Sequence, residues 1–111
     1  NGGKPTGKVV VGVPADAEAF AAKVAQAQRA YQKGKLKDTM AAAQEALVMA
    51  ANHPDELVLL SQAQLELGQF DEALASADLC VAAAADNVDC WLTIAVVTQE
   101  QKNDARALEA W

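Results

Sequence analysis

From residue 15 onward the apolar positions of this chain recur at helical spacing. Phe20, Val24, Ala27 and Tyr31 fall at i, i+4, i+7 and i+11, one face of a helix that Gly34 interrupts. A second helix is predicted over residues 36–51. Asn52-His53-Pro54-Asp55 then turns the chain, with Pro54 at or near the next helix start, where its missing N–H costs nothing. The third helix carries Leu57, Leu60, Ala63, Leu65 and Leu67 and stops at Gly68. A fourth is predicted over residues 71–84 and a fifth over 89–101, separated by an Asp86-Asn87 turn. A sixth is predicted from Asp104 to the end of the chain. Asp16 and Asp38 are candidate caps, since a short side-chain oxygen accepts from a free N–H of the first turn. Six helices joined by short loops make three antiparallel hairpins.

Residues 1–14 read differently. Asn1, Gly2, Gly3, Pro5, Gly7, Gly12 and Pro14 punctuate them, a density that favours a linker or extended segment. The run Lys8-Val9-Val10-Val11-Gly12-Val13 has strand-like, β-branched content. A strand of an upstream domain, a strap over the first hairpin and a flexible tether all fit it.

The helical part repeats itself. Leu57, Leu60, Ser61, Ala73 and Leu74 recur in kind 34 residues later as Trp91, Ile94, Ala95, Ala107 and Leu108. A weaker copy begins near Phe20, with Ala27, Gly34, Thr39 and Met40 at the same offsets. A fixed period of this length marks stacked repeats, in which no unit buries its apolar face alone.

The pattern resembles the tetratricopeptide repeat family, whose signature is W-x2-L-G-x2-Y, then A-x3-F and a proline. The third copy reads Trp91-x2-Ile94-Ala95-x2-Thr98 and Ala107-x3-Trp111. The second reads Leu57-x2-Leu60-Ser61-x2-Gln64 and Ala73-x3-Ala77. The first reads Lys23-x2-Gln26-Ala27-x2-Ala30 and Thr39-x3-Ala43. Gly34-Lys35-Leu36 and Gly68-Gln69-Phe70 match the family's turn within a hairpin. The chain departs from the family at Lys23 and Gln26, where bulky apolar groups are expected, and at Ala51 and Ala85, where proline is expected. Lys102 stands in place of the third turn glycine.

The resemblance implies an all-α fold, a right-handed superhelix (α-solenoid) of three antiparallel hairpins. The repeat domain would cover residues 15–111, with repeats at 20–53, 54–87 and a truncated 88–111. Small residues at Ala27, Ser61 and Ala95, and at Thr39, Ala73 and Ala107, would let paired helices cross closely. Leu57, Leu60, Trp91 and Ile94 would fill the space between hairpins. The resemblance also implies that the first helix of each hairpin lines a concave surface. Mapped here, that surface holds Val24, Gln28, Tyr31 and Gln32; Asp55, Val58, Gln62, Leu65 and Glu66; and Asp89, Leu92, Val96, Gln99 and Glu100. Peptide contacts are expected at Gln28, Tyr31, Gln32, Val58, Gln62, Leu65, Glu66, Val96, Gln99 and Glu100. Gln28 with Gln62, and Glu66 with Glu100, recur one repeat apart and offer ladders of polar groups to a bound backbone. Family members that clamp the acidic tails of chaperones use Lys, Arg and Asn at places that here carry Val24, Gln28, Val58 and Gln62, so that ligand is not expected.

Composition agrees with helices. Hydrophobic residues are 52 % of the 111, many of them alanine, and aromatics are 5 %, too few for a sheet-rich core. The formal net charge of −6 divides into +5 over residues 1–37 and −11 over residues 38–111. An acidic body repels phosphates, so nucleic acid is not an expected partner. No apolar run approaches the ~20 residues a membrane span needs, so no direct membrane insertion is expected. The segment from Lys8 to Val13 is too short for a signal core, and the chain lacks an initiating Met and stops inside a helical pattern at Trp111. We expect a piece of a larger protein.

Cys80 and Cys90 are the two cysteines, at facing ends of consecutive antiparallel helices. Disulfide geometry and two buried free thiols both fit that placement. A bridge favours an oxidising compartment such as a periplasm over the cytoplasm. Two thiols with His53 in a distant loop supply too few ligands for a metal, and no cofactor is expected. His53 suits a loop cap, and no base oriented by a third group accompanies it. Asp55-Glu56 and Asp71-Glu72 sit at helix starts, where carboxylates complement the helix dipole. The glycines of residues 2–7 lack the strand-before, helix-after setting of a phosphate loop. The expected function is a non-catalytic protein–protein interaction module that presents a concave groove to a peptide or partner domain, within a larger, bacterial scaffold or assembly protein. The alternative is a structural or oligomerisation module whose open end, near Leu108 and Trp111, packs on another copy or on further repeats, giving a homo-oligomer.

Overall fold

The computed structural model describes residues 9–110, with side chains described through residue 105. The order is α1 (Ala17–Gln32), α2 (Leu36–Met49), α3 (Pro54–Glu66), α4 (Phe70–Ala83) and α5 (Val88–Ala110). The described residues hold five helices and no strand. Each helix packs on its chain neighbours; α1 also meets α3, and α3 also meets α5. Thus α1, α3 and α5 form one side, while α2 and α4 form the other and do not touch each other among the described residues.

The turns within the first two hairpins are the same device. At the end of α1, Gly34 N–H donates to Tyr31 O (3.0 Å) and Lys35 N–H to Ala30 O (2.9 Å). At the end of α3, Gly68 N–H donates to Leu65 O (3.0 Å) and Gln69 N–H to Gln64 O (2.9 Å). This paired pattern needs a left-handed residue just past the helix, and Gly34 (φ +75°) and Gly68 (φ +79°) supply it. The turns between hairpins also echo: His53 N–H reaches Ala50 O, and Asn87 N–H reaches Ala84 O.

The sixth helix is the correction. α5 runs unbroken through Lys102, Asn103 and Asp104. The reason lies in the turn device. Lys102 stands 34 residues after Gly68, and a side chain at positive φ is strained, so the backbone keeps its helical bonds instead of reversing. The consequence is visible on α5. Trp91 and Ile94 do not fill an interior space: Trp91 is 52 % exposed, Ile94 is half-buried, and Ala95 is exposed, because among the described residues no further helix packs on this face. Trp111 and the side chains of Ala107 and Leu108 lie outside the described residues.

The core is made of small residues at close crossings. Ala27, Thr39, Ser61 and Ala73 are fully buried. Ala27, Ala42, Ala43 and Leu60 form one cluster, edged by Met40, Leu47 and Leu59. Leu57, Cys80 and Cys90 form a second. The α3–α4 crossing is also hydrogen-bonded: Ser61 Oγ donates to Ala73 O and Ser76 Oγ to Gln64 Oε1, both at 2.7 Å. Cys80 and Cys90 are joined in a disulfide, with Cα atoms 5.4 Å apart, which ties α4 to α5. At the other end, Lys23 occupies its unexpected place by pairing with Glu45 of α2. Asp16 caps α1 by accepting from Ala19 N–H (3.0 Å), whereas Asp38 lies inside the first turn of α2.

Residues 9–14 have no regular secondary structure and lie on the α2–α3 turn. Gly12 N–H donates to Ala51 O (2.7 Å), and Asn52 Nδ2 donates to Val10 O (3.0 Å). A Cβ on Gly12 would come within 2.7 Å of Ala51 N, so the close approach requires glycine.

Candidate functional site

The side formed by α1, α3 and α5 carries a groove between α3 and α5. Its lining is Val58, Gln62 and Leu65 from α3, and Asp89, Leu92, Thr93 and Val96 from α5, around a volume of about 290 Å³. The spacing explains the convergence. Residues at i, i+4 and i+7 share one face of each helix, and the two faces meet across the α3–α5 contact. Asn87 starts α5 at the right place, because its side chain accepts from Asp89 N–H (2.9 Å) and Cys90 N–H (3.3 Å). The disulfide then holds that first turn against α4.

Leu92 is 56 % exposed and Val96 49 %, so α5 presents two open apolar side chains to the groove. Gln62 places an amide beside them. Asp89 lies at one end of the groove, and the exposed carboxylates of Glu66 and Glu100 stand on the same two helices. The lining holds no lysine or arginine.

Of the residues expected to contact a peptide, Val58, Gln62, Leu65 and Val96 come together in this groove, with Leu92 and Asp89 of the wider concave set. Gln28, Gln32, Gln99 and Glu100 are exposed but do not line it. Gln99 is engaged instead with Asn103 one turn on (3.2 Å). Tyr31 is half-buried and donates its hydroxyl to Glu66, bridging α1 to α3. The hydrogen bond to the Glu66 carboxylate, then burial, then the Glu66 charge push the Tyr31 phenol from 10.0 up to about 12. Thr93 is the lining residue that the sequence reading omits. One repeat earlier the same position is Leu59, an edge of the core, so the period gives no reason to place it in a groove.

Two other features were open to a functional reading. A cleft between α1 and α2, of about 260 Å³, is lined by Arg29, Lys33 and Lys35 but also by Asp38 and Glu45, so its charges offset one another. At the start of α3, Glu56 is 1 % exposed, with Oε1 lacking a hydrogen-bond partner, and burial with the neighbouring Asp55 charge raises its carboxyl above the ordinary range. Among the described residues, no three His, Cys, Asp or Glu side chains gather as a metal would need, and no helix is long and apolar enough to cross a membrane. A scan against protein-family models finds no match for this chain, and neither does a search of curated proteins.

Proposed function

We propose that this chain is a non-catalytic protein-interaction module of the tetratricopeptide class, which holds a peptide or partner segment in the α3–α5 groove. The two-sided packing of α1–α5 and the twin glycine turns support reading it as the start of a right-handed solenoid. One observation carries the reading. Val58, Leu65, Leu92 and Val96 line a single groove with one amide, Gln62, which suits an extended or helical segment that buries apolar side chains and satisfies its backbone. Asp89, Glu66 and Glu100 around it favour a partner with apolar anchors and basic flanks. The disulfide suits an oxidising compartment.

The test is selection from a random-peptide display library against the intact chain, followed by titration calorimetry. Selected peptides are expected to carry apolar anchors beside Lys or Arg, and to lose binding at least tenfold to Leu65→Glu or Gln62→Ala. Asp78→Lys, on the exposed face of α4, is expected to leave affinity unchanged. Loss of binding on Asp78→Lys with Leu65→Glu neutral would overturn the groove. A second reading, self-association, is favoured by the bare face of α5 at Val88, Trp91 and Ala95.

A further inference from the structure

In α5 the sequence of a hairpin is laid out along one continuous helix. Its first half carries the positions of a hairpin's inner helix, and its second half carries those of the outer helix. In the second repeat these positions meet: Ser61 on α3 donates to Ala73 O on α4, twelve residues on. The same two positions one repeat later are Ala95 and Ala107, both on α5. Along a straight helix they stand about 18 Å apart, so one chain cannot bring them together. The face around Ala95 is bare, with Val88 67 % exposed and Trp91 standing beside it. The surrounding polarity permits a like partner. Lys102 and Arg106 balance Asp104 and Glu109, so residues 102–110 are neutral in an otherwise acidic body, and two copies would not repel here.

Deepening the self-association reading, on which this rests, we propose that two copies of the chain exchange the C-terminal halves of α5. Residues 104–110 of each copy lie on the Trp91–Ala95 face of the other, completing the third hairpin in both. Lys102 is the hinge that stays straight. At the same position in the other hairpins Gly34 and Gly68 reverse the chain with φ near +75° and +79°. Exchange of an identical element is a low-cost route to a dimer, because each contact is one the sequence already specifies.

The experiment co-refolds, at equal amounts and with the native disulfide formed, one chain carrying Ala95→Cys and another carrying Ala107→Cys. Light scattering of the unaltered chain is expected to give twice the monomer mass at high concentration, and the mixed sample is expected to give a covalent heterodimer on oxidation. Lys102→Gly is expected to return the chain to a monomer. A strict monomer overturns both the exchange and the self-association reading. A dimer that cross-links Ala95→Cys to itself, and not to Ala107→Cys, keeps self-association and overturns the exchange. A chain carrying both substitutions that closes the link within a monomer also overturns it, since the helix then turns back on itself.

Discussion

Tyr31 on α1 donates its hydroxyl to the carboxylate of Glu66 on α3, so the side chain next to the groove is held by a bond between the first two hairpins. Tyr31 is the single tyrosine, and its phenolate absorbance can be titrated without interference. A midpoint near pH 12 is expected, moving back toward 10 in Glu66→Ala. The folded value is raised, so whatever stability the bond contributes is fully present below about pH 10 and is lost as pH rises toward 12. An unshifted titration in Glu66→Ala would break this link.

Glu56 should weaken the fold at neutral pH. It is buried, one carboxylate oxygen has no partner, and its carboxyl is raised by desolvation first and by Asp55 second. Glu56→Met removes the charge at similar volume and is expected to stabilise by about 1–3 kcal/mol at pH 7, the cost of an unsatisfied buried polar group. The sign follows from the raised value: acid protonates Glu56 in the unaltered chain, so the advantage of the variant shrinks as pH falls through that value. Urea unfolding at pH 7 and pH 4 measures the difference.

The disulfide closes a short loop, since its cysteines are ten residues apart. On chain entropy alone, Cys80→Ala with Cys90→Ala is expected to cost about 2–3 kcal/mol. Hydrogen exchange should rise along the first turns of α5 and stay unchanged in α1. The same positions one repeat earlier are Ala46 and Glu56, both buried. Ala46→Cys with Glu56→Cys is therefore expected to form a second bridge while removing the buried carboxylate. Mass after thiol alkylation, with and without reductant, reports it.

The glycines separate two kinds of constraint. Gly34 and Gly68 have open space around them, so Ala costs only the backbone strain at positive φ, about 1–2 kcal/mol each. Gly12 has the opposite problem, because its added Cβ would strike Ala51 N. Gly12→Ala is expected to leave the midpoint of thermal unfolding nearly unchanged and to release residues 9–14 from the α2–α3 turn. Faster exchange of the backbone amide at position 12, with α3 unaffected, is the readout.

The sequence showed its helices through positions that physics restricts tightly. Ala27, Thr39, Ser61 and Ala73 are small because helices cross there, and Gly34 and Gly68 are glycine because the chain reverses there. The expected third hairpin differs from the fold at Lys102, where α5 continues unbroken. A period notes that Ala107 and Leu108 return on schedule, but not whether a lysine can take the conformation of the glycines before it. All of the groove lining but Thr93 was legible in the sequence, partly as columns one repeat apart, such as Val58 with Leu92 and Gln62 with Val96. Thr93 and Glu56 were not, because their surroundings come from packing between helices. Glu56 read as an ordinary acidic helix start, and only the fold shows it covered.

The two joints, α2 to α3 and α4 to α5, are fastened by different means. At the first, Gly12 and Asn52 tie the segment 9–14 across the α2–α3 turn with two hydrogen bonds. At the second, Cys80 and Cys90 fasten α4 to α5 covalently. Among the described residues α1 and α2 join the rest through α3, and α5 joins it through α3 and α4, so the weaker of the two joints is expected to open first. With the disulfide closed, opening is expected to begin at the α1 end; a reductant is expected to move it to α5, so redox state would set the end from which the fold opens.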